Sequence, residues 1–238
     1  MSFKVVITMY NRQPSSLTTD VIKQAGMEVA YLPARTENEV ITAGKDADVL
    51  LVGTVPHTTR KVLESLPNLK MVGRSGVGVD SIDLAAATEL GICATNTPGI
   101  NTSEVADHAM AMLLSVTRKI PEQNAVVKAG AWSDRPAEVD ALRSQLRRIA
   151  GNTVGIFGLG SIGKGFANRV RGFGPAKIIA YDPYVPQTVA DLLGVEMVDF
   201  DMLLAESDYL TVHSPATAET NEIFNIDAFN KMKPTAVF

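Results

Sequence analysis

The sequence predicts an α/β protein made of two doubly wound parallel sheets, on three observations. Short strand candidates rich in valine and isoleucine alternate with helical stretches through residues 1–100. The same alternation restarts at Thr153, after a long helical interruption. At 238 residues the chain is also long enough for two modest domains.

In the first series the strand candidates are Lys4–Thr8, Glu28–Leu32, Val49–Gly53, Lys70–Arg74 and Ile92–Ala94. Gly26, Gly44 and Gly91 follow the helical stretches Val21–Ala25, Glu37–Ala43 and Leu84–Leu90, where left-handed C-caps would fall. Strand–helix–strand spacing repeated in this way implies parallel pairing with helices on both faces.

The stretch NTSEVADHAMAMLLSVTRKIP, residues 101–121, places Val105, Ala109, Met112, Leu113 and Val116 at helical spacing. Asn101 is suited to cap its start, with Glu104 reaching back, and Pro121 marks its end. Small residues Ala106, Ala109 and Ala111 allow close packing against another backbone. Residues 122–150 read as more polar helix with an irregular piece around Trp132–Pro136, an arm suited to meeting a partner subunit. The second series comprises strand Thr153–Phe157, helix Ile162–Phe173, strand Lys177–Tyr181, a short helix near Val189–Leu193, and strands Tyr209–Val212 and Thr235–Phe238.

Composition narrows the function classes. Hydrophobic residues make up 46% and charged residues 20%, with a net charge of −4, the profile of an ordinary globular protein. The densest basic patch, Arg143, Arg147 and Arg148, reads as a solvated face, so no nucleic-acid partner is expected. No apolar run approaches the roughly 20 residues that span a bilayer. The start MSFKVVITMY enters a strand directly, so a cytoplasmic location is expected. The single Cys93 cannot form an internal disulfide and reads as a small buried strand residue.

The stretch GIFGLGSIGKG, residues 155–165, carries the strongest chemical signal. It follows an apolar strand and opens a helix. Gly158 permits the tight turn, Gly160 lets a diphosphate approach the backbone, and Gly163 lets helix and strand pack closely. The helix amino end then favours the anion. Asp182 closes the next strand, nineteen residues after Gly163, where a carboxylate accepts hydrogen bonds from ribose hydroxyls. It would repel a 2′-phosphate, and no arginine follows it in YDPYVPQT, so NAD is favoured over NADP.

Three further stretches join this loop in a collinear set: VGRSGVGVDSIDLAAATELGI (72–92), NTPGINTSEVADHAMAMLL (96–114) and YLTVHSPATAET (209–220). Together they resemble the D-2-hydroxyacid dehydrogenase family along essentially the whole chain. The resemblance implies a flavodoxin-like substrate domain over residues 1–100, lacking its returning segment, and a Rossmann NAD-binding domain over 101–238, incomplete at its C-terminal end. It implies hydride transfer between NAD(H) and a small-molecule D-2-hydroxy acid/2-oxo acid pair.

By the same resemblance, Ser75, Gly76, Val77 and Asn101 bind substrate. Val77, Thr102, Gly158, Gly160, Ser161, Ile162, Gly163, Asp182, His213, Ser214, Pro215 and Thr220 serve the cofactor. For the loop at Ser75 the plain alternative is a tight turn leading to helix-capping Asp80 and Asp83; for Asn101 it is the helix cap. His108 reads as structural, His57 as an exposed loop residue, and His213 as a pocket residue without an acid–base role. No residue is assigned to a metal or to catalysis. The family's arginine, glutamate and histidine positions fall past Phe238, so little turnover is expected of the 238-residue chain. The resemblance also implies a homodimer through residues 101–150. An NAD-sensing corepressor-type binding protein is the alternative from another class.

Overall fold

A computed structural model of the chain describes residues 2–238. Between Asn101 and Thr102 the polypeptide divides into two compact units. The first contains β1 (Lys4–Ile7), α1 (Ser16–Gln24), β2 (Glu28–Tyr31), α2 (Glu37–Gly44), β3 (Val49–Val52), α3 (Arg60–Glu64), β4 (Met71–Arg74), α4 (Leu84–Glu89) and β5 (Cys93–Thr95). Its strands run in the order β2-β1-β3-β4-β5, all parallel, the flavodoxin-like order.

Alternation along β1 explains the two-sided burial. Val6 joins Leu50, Val72, Val40, Leu63 and Ala86 on the face covered by α2, α3 and α4. Val5 and Ile7 point the other way and pack with Ile22 of α1. Side-chain caps fix the helix starts. Thr36 accepts from the Glu39 N–H while Glu39 accepts from the Arg35 N–H, and Asp83 accepts from the Ala86 N–H at 2.8 Å.

Two sequence expectations are corrected here. Gly26 and Gly91 adopt the left-handed C-cap conformation, but Gly44 does not. It is the last residue of α2, and a Cβ there would lie 3.2 Å from a Leu66 methyl, so packing demands its small size. Cys93 is exposed, because it opens the edge strand β5, which pairs only with β4.

The second unit contains α5 (Thr102–Arg118), α6 (Ile120–Lys128), α7 (Ala131–Asp134), α8 (Pro136–Arg143), β6 (Thr153–Phe157), α9 (Ser161–Val170), β7 (Lys177–Tyr181), α10 (Gln187–Asp191), β8 (Glu196–Met197), α11 (Phe200–Glu206), β9 (Tyr209–Val212) and α12 (Ile226–Lys231). The parallel strands run β8-β7-β6-β9. Relative to the first strand of this sheet the order is 3-2-1-4, the beginning of the doubly wound nucleotide-binding arrangement. The strand expected over Thr235–Phe238 reduces to one parallel bridge, Val237 to Tyr209.

Helix α5 packs inward through its small residues and part of its apolar stripe, Ala109 and Leu113 lying against the core. Ala106, Met110 and Thr117 are buried, and Ala106 lies against α9 where a Cβ on Gly165 would stand only 3.3 Å away. Close approach of small residues selects this face. Met112 and Val116 remain 58% and 46% exposed and border an apolar groove beside β9. Asn101 does not cap α5: its Oδ1 is buried and accepts no hydrogen bond among the described residues. No helix among the described residues is long and apolar enough to cross a membrane.

Asp208 pins the start of β6 to the chain's last turn. It accepts from the Thr153 N–H at 2.8 Å and from the Lys233 ammonium at 2.9 Å. Burial works to raise its pKa, but the Thr153 N–H, Lys233 and the charge of Arg147 together outweigh burial and hold it below the usual aspartate value. A folded-state value below the unfolded one stabilises at higher pH, and that contribution is lost as pH falls below about 4. Asp208→Asn is therefore expected to lower the melting temperature at pH 7 and to narrow its gap from the parent as the pH drops to about 3, measured by thermal melts across acid pH.

Candidate functional site

Strands β6 and β9 are neighbours at the point where the strand order reverses, and their C-terminal ends open a crevice of the kind that binds ligands in such sheets. The loops leaving them touch. Gly158 has φ +91°, and a Cβ there would lie 2.6 Å from the Ser214 nitrogen. Gly163, buried in α9, faces back: its Cβ would stand 2.2 Å from the Gly158 oxygen. These two glycines let the helix, strand and neighbouring loop converge.

Gly160 differs from both. Nothing lies within 4 Å of the position its Cβ would take, so the backbone there faces open space. It immediately precedes α9, whose start carries no side-chain cap. The amides of Ser161, Ile162 and Gly163 belong to the first helical turn, whose N–H groups lack intrahelical partners and favour an anion.

Asp182 does more than close β7. Its Oδ2 accepts from the Leu159 N–H and its Oδ1 from the Tyr184 N–H, both at 2.9 Å. The carboxylate thereby ties the glycine loop to the loop after β7, and its remaining lone pairs suit hydroxyl donors. Gly158, Gly160, Asp182, His213, Ser214, Pro215 and Thr220 all border one cavity of about 420 Å³ with a mostly apolar wall. That combination, an apolar cavity beside an open helix amino end and an acid, fits a dinucleotide's adenosine and diphosphate.

The His213 N–H donates to the Phe157 carbonyl at 2.7 Å. Its Nε2 stands 3.1 Å from the Thr211 hydroxyl and its ring packs by Phe166. Burial lowers its pKa below the ordinary value, which favours the neutral imidazole as part of the wall. Thr220 closes its loop, accepting from the Thr217 N–H and donating to the Pro215 carbonyl. Thr102 begins α5 and lies near α9, its methyl 3.5 Å from the Cβ position of Gly165. His57 and His108 are exposed.

In the first unit, the loop after β4 has its own geometry. The Ser75 N–H donates to the Val52 carbonyl and the Gly76 N–H to the Arg74 carbonyl. The Val77 N–H finds no acceptor among the described residues, while the Val77 oxygen accepts from the Asn96 amide at 2.7 Å. Arg74 folds back over this loop: a Cβ on Gly76 would fall 2.1 Å from its Nη1. One guanidinium nitrogen donates to the Thr54 hydroxyl at 2.8 Å, and Nε is buried without a partner among the described residues. A free amide beside a cation suits a carboxylate.

Arg74, Tyr184 and Glu219 lie outside the set the sequence picks out. Arg74 is signalled only by its place at a strand's C-terminal end before a glycine turn. Tyr184 and Glu219 sit beside Asp182 and Thr220 in sequence, but only the fold shows that they meet.

A strand, glycine loop and helix with an acid on the next strand, set at the switch point of a parallel sheet, define a dinucleotide-binding domain. Comparison with known proteins agrees. The family description "D-isomer specific 2-hydroxyacid dehydrogenase, NAD binding domain" matches residues 110–238, and the chain belongs to that family. It is 37% identical over 229 residues to the D-3-phosphoglycerate dehydrogenase of Synechocystis sp., covering 92% of this chain and 40% of that protein. It is 36% identical over 239 residues to the D-3-phosphoglycerate dehydrogenase of Mycobacterium tuberculosis, covering 100% and 43%. Among solved structures it resembles the NAD-dependent formate dehydrogenase of Staphylococcus aureus in complex with NAD, with a TM-score of 0.83 and 29% identity over 97% of this chain and 71% of that one. The chain thus spans about two fifths of the length of the curated relatives it matches.

Proposed function

We propose that this polypeptide binds NAD(H) in its second unit and serves hydride transfer between nicotinamide and a D-2-hydroxy acid/2-oxo acid pair. The observation that carries the reading is Gly160, an unobstructed backbone position at the uncapped start of α9, with Asp182 fixed beside it. The α9 amides receive the diphosphate, Asp182 the adenosine ribose, and the Ser214–Thr220 loop the adenine. Bound NAD supplies a hydride acceptor, and NADH a donor.

The Ser75–Val77 loop, with Arg74 over it, is the substrate-carboxylate site of this reading, and Asn101 and Thr102 belong with the nicotinamide end. A cytoplasmic setting goes with this reading.

NADH titrated into the protein is expected to raise its melting temperature with the logarithm of concentration, as a ligand of the native state must. A melting temperature that stays flat to millimolar NADH contradicts the reading.

A homodimer through residues 101–150 is part of the same proposal. Helix α6 has no fully buried residue among the described residues, and Ile120, Val127 and Trp132 are each about half exposed. Such apolar exposure on consecutive elements favours a partner. Light scattering is expected to give the mass of two chains, and Trp132→Ser with Val127→Ser to return it to one.

A further inference from the structure

Two acidic side chains line the cavity beside Gly158 and Ser214, and among the described residues no lysine or arginine does. Asp182 stands on the loop after β7 and Glu219 on the loop after β9. Tyr184 joins them: its N–H donates to Asp182 Oδ1 at 2.9 Å, and its hydroxyl donates to Glu219 Oε2 at 2.7 Å. The phenol's pKa is raised by that hydrogen bond first, then by the charge of Glu219, burial and the charge of Asp182. Both carboxylates therefore act on the same space.

Their charges are not equally compensated. Each oxygen of Asp182 already accepts a backbone N–H, whereas Glu219 is held by a neutral phenol. We propose that Glu219, positioned by Tyr184, is a second specificity-determining acid that excludes a 2′-phosphorylated dinucleotide from this site. The inference rests on the reading that the adenosine ribose lies at Asp182. A 2′-phosphate on that ribose projects between the two loops and meets two carboxylates and no cation. Glu219 is exposed, so its effect is screened by salt and modest, about fivefold in affinity at low ionic strength.

Glu219→Gln separates charge from shape, because its amide oxygen still accepts from the Tyr184 hydroxyl. The experiment measures NADH and NADPH affinities of the 238-residue protein by calorimetry at low and high salt. Glu219→Gln is expected to strengthen NADPH relative to NADH by about fivefold at low salt, and to lose most of this gain at high salt. Tyr184→Phe, which frees Glu219 without removing its charge, is expected to give a smaller relative gain. A ratio that matches the parent in Glu219→Gln, or a change that ignores salt, overturns the proposal while leaving NAD binding intact. If the parent binds neither dinucleotide, the ribose placement falls and this proposal falls with it.

Discussion

Replacing Gly158 by alanine is expected to destabilise the second unit and abolish measurable NADH binding. Two independent penalties meet at this position. A φ of +91° is one that L side chains rarely adopt, and holding alanine there costs about 1–3 kcal/mol. The new Cβ would also lie 2.6 Å from the Ser214 nitrogen and 2.9 Å from the His213 carbonyl carbon. Both neighbours are backbone, so neither can rotate away. The combined loss is about 3–5 kcal/mol, enough to lower the melting temperature by about 10 °C. The Ser214 loop must retreat from the glycine turn, and the cavity between them loses its shape. Thermal melts and NADH calorimetry on the same sample check both halves of the prediction.

Gly160→Ala is expected to do the opposite: leave the fold untouched and damage binding alone. No protein atom lies within 4 Å of the added methyl, and Gly160 has φ −71°, which alanine adopts readily. The melting temperature of the unliganded protein should change by less than about 2 °C, a shift of no more than about 1 kcal/mol. If the diphosphate approaches this backbone, the methyl occupies its place, and NADH affinity falls at least about tenfold, or about 1.4 kcal/mol. The two glycines sit two residues apart yet separate folding from binding, so the pair distinguishes a cofactor loop from a merely tight turn. Unchanged NADH affinity in a well-folded Gly160→Ala protein contradicts the placement of the diphosphate.

Much of this organisation is legible in the sequence, because parallel sheets buried on both faces write themselves as short apolar runs. Strands β1 to β4, β6, β7 and β9 lie where valine and isoleucine cluster, and Gly26 and Gly91 mark real helix ends. The elements that escape are those whose signal is not local. β8 has only Glu196 and Met197, and pairs because β7 offers it an edge. α3 is five residues long, with Val62 and Leu63 as its buried contacts. Helix α5 is legible in part. Ala109 and Leu113 of its apolar stripe and the small Ala106 pack inward as expected, whereas Met112 and Val116 stay exposed because the close fit of Ala106 to Gly165 of α9 sets the rotation of the helix.

The candidate site divides in the same way. The glycine loop and Asp182 are contiguous motifs, so they can be read directly. That Asp182 holds the Leu159 N–H, and that Tyr184 reaches Glu219, depends on loops twenty-three and thirty-five residues apart in sequence. No spacing rule brings Tyr184 and Glu219 together; the β6–β7–β9 arrangement does.

Hydrogen–deuterium exchange of the 238-residue protein with and without saturating NADH tests the central claim most directly. Protection is expected at the amides of Gly158–Gly163, at Asp182–Tyr184 and along His213–Thr220, with the strands of the first unit unchanged. Tight NADH binding that leaves the start of α9 exchanging at its unliganded rate would place the dinucleotide elsewhere and contradict the account.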